Sequence, residues 1–193
     1  EQVKNSAEIR RAALALDLLK IYPVQLTTFR VWDAFASMLP AAAATDDLSI
    51  EEGTFATESA HISAGDLKAA GATTRRARVL IALPAEYHAA TTVQIVVSAG
   101  MLTTVAGTSC TVDLEVYKSN GITGYTGGDI CATVAQTMNS LTFADKTFTI
   151  TSTTLSPGDV LDVRLTIVCT DAASGTVVEP VVGAVDLLCD VRG

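Results

Sequence analysis

The stretch LSPGDVLDVRLTIVCTD, residues 155–171, decides the fold. Pro157 and Gly158 are turn residues: proline presets the backbone angle of a turn, and glycine accepts the left-handed position that often follows it. From there Leu161, Val163, Leu165, Ile167 and Cys169 recur at every second position, with Asp162 and Arg164 between them. Successive side chains of a strand point to opposite faces, so this spacing predicts a strand with one buried and one outer face. Asp159 is placed to bond backbone amides at the turn. Asp162 and Arg164, two apart on the outer face, read as a solvated or interface pair rather than a catalytic one.

The same alternation extends in both directions from Arg76 to the C-terminus. ARVLIAL (77–83) sends Val79, Ile81 and Leu83 inward, and TTVQIVVSA (91–99) sends Val93, Ile95, Val97 and Ala99 inward. SCTVDLEVYK (109–118) buries Cys110, Val112, Leu114 and Val116, while Tyr117 faces out. KTFTITSTT (146–154) offers Phe148 and Ile150, and VVGAVDLLCDV (181–191) offers Val185, Leu187 and Cys189. Six strands with one apolar face each, separated by Gly, Pro, Ser and Asp turns, predict an all-β fold, an antiparallel β-sandwich or jelly roll. A parallel sheet would need crossover helices that the sequence does not supply.

The N-terminal part reads differently. Residues 6–20, SAEIRRAALALDLLK, carry strong helix formers, with Ser6 as N-cap and Ile9, Ala12, Ala13, Leu16 and Leu19 on one stripe. Pro23 should end this helix near Tyr22. The expected organisation is an N-terminal helical arm over residues 1–24 and a β-sandwich over 25–193. After the helix, 24–40 mixes an extended start with a helical turn, 41–47 is a small-residue linker, and 48–76 reads as irregular loops and short strands with turns at Glu52-Gly53 and Gly65-Asp66.

Composition limits the chemistry. A chain of 193 residues holds one main domain, and a net charge of −8 repels phosphate backbones and anionic lipid, so nucleic acid and membrane are excluded as expected partners. No apolar run reaches the roughly 20 residues of a membrane span. RRAALALDLLKIYPV (10–24) is broken by Asp17 and Lys20 and lacks a small-residue cleavage site, so it reads as mature protein rather than a signal peptide. The four cysteines, Cys110, Cys131, Cys169 and Cys189, are too widely spaced for a zinc knuckle and read as buried thiols, with one or two disulfides as the alternative. No metal and no cofactor is expected.

Nucleophilic catalysis would need a base, and the two histidines, His61 and His88, have no signature around them. Asp46-Asp47 and Glu51-Glu52 lack the alternating oxygen spacing of a calcium loop. The glycine-rich GITGYTGGD (121–129) lacks the strand-to-helix context of a phosphate loop and reads as a hairpin or interaction loop. No catalytic residue is assigned, and the protein is expected not to be an enzyme. For sugar binding the candidate aromatics are Tyr117 and Tyr125, whereas Trp32 in FRVWDAF reads as core or interface.

Four stretches, FRVWDAFASMLPAAAATDDL (29–48), RARVLIALPAEYHAATTVQIVVSAGM (76–101), DICATVAQTMNSL (129–141) and the run from 155 to 191, together resemble β-sandwich structural proteins of tailed bacteriophages. Leu83-Pro84, the Pro157-Gly158-Asp159 turn and Asp171 carry the likeness. The resemblance implies a capsid decoration (cement) protein on the outer surface of a virion. Its partners would be the major capsid protein and further copies of itself, a trimer favoured. Ile9, Leu16, Leu19, Trp32, Phe35, Tyr117 and Tyr125 would then be interface residues. The alternative is a receptor- or glycan-binding module of a phage tail or fibre.

Overall fold

A computed structural model describes residues 17–51, 53–54, 56–119, 127–172 and 175–192. Ten strands follow in order: β1 (Asp17–Pro23), β2 (Ser49–Glu51), β3 (His61–Ser63), β4 (Gly71–Ala82), β5 (Val93–Met101), β6 (Ser109–Ser119), β7 (Gln136–Thr137), β8 (Ala144–Thr149), β9 (Val160–Asp171) and β10 (Pro180–Arg192). One sheet runs β2-β3-β10-β5-β8, with β1 also on β10; the other runs β4-β9-β6-β7. All pairings between these strands are antiparallel. From β3 onward every connection except β6 to β7 switches sheets. The orders 3-10-5-8 and 4-9-6-7 are those of a jelly roll, which agrees with the fold class read from the alternation.

The 155–171 stretch forms as its residues dictate. Asp159 N–H donates to Ser156 O at 3.1 Å, closing a turn around Pro157 and Gly158, and Gly158 takes φ +79°. The Asp159 carboxylate accepts the Ser156 N–H at 2.7 Å and pairs with Lys118 Nζ at 2.7 Å. Strand β9 then lies between β4 and β6 along its whole length. Leu161, Val163, Leu165, Ile167 and Cys169 pack inward against Ile95, Val97, Phe148 and Leu187 in one core, all of them buried.

The outer face of β9 departs from the expectation of a solvated pair. Asp162 is only 4% exposed. Arg78, on β4, grips it with both arms of the guanidinium, Nε to Oδ1 at 2.7 Å and Nη2 to Oδ2 at 2.5 Å, and Arg164 Nη2 stands at 3.6 Å. The physical reason is a cover over the arginines. The 29–39 loop bridges to β4 through Arg30 and Arg78, Trp32 O accepts from Arg78 Nη1 at 3.4 Å, and the Phe35 ring lies 5.5 Å from the same guanidinium.

The helical arm is also corrected. Residues 17–23 form β1, paired over seven positions with β10 from Asp17↔Arg192 to Pro23↔Asp186. The C-terminal half of β10 offers a free row of backbone groups there, and pairing with it outweighs the helix propensity of Leu18, Leu19 and Lys20. Pro23 suits an edge strand, where its missing N–H breaks no ladder. Residues 1–16, with the rest of the predicted helix, lie outside the described residues. The only helical element among the described residues is one 3-10 turn at Leu26–Thr28. Strand β4 begins at Gly71 rather than after Arg76, so part of the segment read as irregular is ladder.

Cys110, Cys169 and Cys189 are buried as expected, Cys131 is half-buried, and all four are free thiols. Burial pushes the Cys131 and Cys189 thiols up to about 11, which leaves them protonated and unreactive. Cys110 and Cys169 face each other across β6 and β9, and the hydrogen bond between them raises the Cys110 thiol.

Candidate functional site

The residues singled out from sequence fall into three groups. Ile9, Leu16 and Tyr125 lie outside the described residues. Leu19 sits on β1, 54% exposed, at the edge of the sheet containing β10. Trp32, Phe35 and Tyr117 come together on the outer face of the other sheet, each ring against an arginine. Arg76 lies 5.1 Å from the Trp32 ring, Arg78 5.5 Å from Phe35 and Arg164 4.1 Å from Tyr117. Trp32 Nε1 also donates to Asp46 Oδ2 at 3.2 Å. These rings are engaged by cation–π contacts and the Asp162 network, so this face is a packed polar cover rather than a free aromatic platform.

Of several open clefts among the described residues, one lies on the outer face of the β10 sheet. A cleft of about 260 Å³ is lined by the 57–60 loop, His61, Leu102, Phe143, Val181 and Gly183. Its aromatic wall is Phe143, 40% exposed, delivered by the loop between β7 and β8. Two glycines let this ring come down onto the sheet. A Cβ on Gly100 would stand 3.0 Å from Phe143 Cδ2 and 3.1 Å from Ser140 O, and one on Gly183 3.6 Å from Phe143 Cε1. Gly183 marks a register shift in β10 between Val182 and Ala184, a bulge that breaks the ladder beside the cleft.

His61, at the end of the polar wall formed by residues 57–61, also meets a residue of β2 and the residue before β10. Glu51 and His61 are direct cross-strand partners, so their side chains share a face. One ligand atom from each of Glu51, His61 and Glu179 lies within 4.8 Å of the other two. Ser49 Oγ donates to Glu51 Oε1 at 2.7 Å, and Ser63 Oγ donates to Glu179 Oε1 at 2.8 Å. Both serines are fully buried, and Gly65 N–H donates to Ser63 Oγ at 2.9 Å, which fixes that hydroxyl's direction. His61 Nδ1 meets Ser59 O at 3.2 Å, whereas its Nε2 is buried with no hydrogen-bond partner. A histidine with two carboxylates is a donor set able to hold a metal ion.

Sequence reasoning missed both walls. Phe143 stands outside any alternating run, and nothing local marks it. Glu51 and His61 fall in the segment that reads as irregular, where they count only as half of an acidic pair and as an isolated base, and Glu179 is not singled out. The signal that was present is the pair Ser49-Ile50-Glu51 and His61-Ile62-Ser63, each with polar residues flanking an isoleucine at strand spacing.

No family model matches the chain, and no curated protein matches it. Among solved structures it is similar to the CBM22-1 xylan-binding domain of Paenibacillus barcinonensis Xyn10C, at 12% identity and a TM-score of 0.40, over 76% of this chain and 81% of that one. It is similar to a CBM28 module specific for non-crystalline cellulose, at 12% identity and TM-score 0.40, over 86% and 89%. A third is the K1 cleaved adhesin domain of Lys-gingipain from Porphyromonas gingivalis, at 10% identity and TM-score 0.40, over 89% and 97%. The class is defined by the chain's own strand order and cleft: a jelly-roll β-sandwich bearing a surface cleft.

Proposed function

We propose that this protein is a non-catalytic binding module that takes a carbohydrate into the Phe143 cleft. The observation that carries the reading is the half-exposed Phe143 ring set over Gly100 and Gly183 beside a polar wall. A pyranose ring has an apolar C–H face and a rim of hydroxyls. It therefore suits an aromatic surface for the face and nearby carboxylate and backbone carbonyl groups for the rim. Glu58 and the Ser59 carbonyl are placed on the rim, with Leu102 extending the apolar wall.

The test is a glycan array followed by titration of the best ligand. Wild-type protein is expected to bind, and Phe143→Ala to lose about 2 kcal/mol, roughly thirtyfold in affinity. Tyr117→Ala should leave binding unchanged, since Arg164 covers that ring. Equal affinity of wild-type and Phe143→Ala for every retained glycan would overturn the reading.

A second reading, capsid decoration through the major capsid protein and a self-trimer, is favoured by one observation. Strand β1 presents Leu18, Leu19 and Ile21 at 52%, 54% and 63% exposure on a sheet edge, where soluble proteins ordinarily place charge. If this edge is an assembly surface, Leu19→Lys with Ile21→Lys should convert an oligomer to a monomer in light scattering without unfolding it. A monomeric wild-type protein would sink that reading.

A further inference from the structure

We propose that Glu51, His61 and Glu179 form a binding site for a divalent transition-metal ion of the zinc class. Ser59 O only accepts hydrogen bonds, so the Nδ1 that meets it carries a proton, which leaves Nε2 as the ring nitrogen able to ligate a metal. That Nε2 is buried without a hydrogen-bond partner. One ligand atom of the ring and one from each of two carboxylates lie within 4.8 Å of one another. A divalent cation placed among the three satisfies the buried nitrogen and both carboxylates at once.

The surroundings match those of a metal site. Metal-bound histidines pass their second N–H to a carbonyl, and bound carboxylates are held by outer donors; here Ser59 O, Ser49 Oγ and Ser63 Oγ fill those roles. The two carboxylates carry the charge that a divalent ion cancels. The imidazole selects zinc, cobalt or manganese over calcium, which takes oxygen ligands alone. Bonds of about 2.1 Å in a tetrahedron put ligand atoms about 3.4 Å apart. The observed separations, up to 4.8 Å, close by rotation of two glutamate side chains. Three protein ligands leave one position open, and His61 also lines the Phe143 cleft.

The experiment uses the full metal-free chain, carrying Cys131→Ser to remove the one thiol that is not buried. Zinc is titrated by calorimetry, and cobalt by its visible absorption. The chain has two histidines, so nitrogen-edited NMR separates His61 from His88, which serves as the internal control. The expected result is one zinc per chain, a shift at His61 Nε2 alone and a rise in Tm at saturating zinc. His61→Ala should abolish binding, Glu179→Gln should weaken it at least tenfold, and the outer donor change Ser63→Ala should weaken it about tenfold. Binding that persists in His61→Ala, or a His61 ring that carries protons on both nitrogens and takes no zinc, would overturn the proposal. Phe143→Ala should bind zinc like the parent chain, so failure of the glycan reading and failure of this one are separate results.

Discussion

Arg78→Met is expected to destabilise the protein by about 3 kcal/mol, because it strands Asp162 without its main partner in a site from which water is nearly excluded. Breaking one side of a buried ion pair costs about 3–5 kcal/mol, and the lower end applies because the Arg78 side chain keeps 27% exposure. Arg164, at 3.6 Å and drawn over Tyr117, makes a weaker and less directed contact than the bidentate grip it would have to replace. The double variant Arg78→Met with Asp162→Leu removes both charges and should recover most of the loss. Urea denaturation of the wild type, both single variants and the double variant measures the coupling. A cost below about 1 kcal/mol for Arg78→Met would show that Arg164 alone suffices.

The second large effect belongs to Phe148→Ala, expected to cost about 3–5 kcal/mol. Phe148 is fully buried, directly opposite Ile95 of β5. It is also the only buried side chain in β8, an edge strand whose other five residues are exposed or half-buried. Its removal therefore leaves a cavity and takes away the strand's single apolar anchor together. Amide exchange should quicken along 144–149 more than along β9, and a uniform increase across both sheets would contradict this account. Because the loop carrying Phe143 leads directly into β8, the sugar affinity proposed for the cleft should fall in the same variant.

The large strands were legible because burial between two sheets imposes a period of two, and Val79, Ile95, Leu114, Val163 and Leu187 all obey it. Alternation names the face of a residue but not what lies upon it. Asp162 was assigned correctly to the outer face, yet its burial depends on Trp32 and Phe35, brought from a loop more than a hundred positions away. β1 was misread for a related reason: Leu18, Leu19 and Lys20 favour a helix locally, and only the distant β10 edge makes them a strand. The candidate site was the least legible part. The cleft is lined by residues 57–61, 102, 143, 181 and 183, and Glu51 and Glu179 meet His61 at its edge; these share no local pattern until the jelly roll brings them together.

The place of β10 also fixes the order in which the molecule can be completed. The sheet of β4, β9, β6 and β7 has all its strands once the chain has been made through Asp171. The other sheet is different, since β10 lies between β5 on one side and β1 and β3 on the other. Until residues 180–192 leave the ribosome, β1 and β3 have no bridge to β5, and one face of the first sheet stays uncovered. Long-range closure of this kind slows folding and lengthens exposure of unpaired edges, so this sandwich is most prone to aggregate just before β10 arrives.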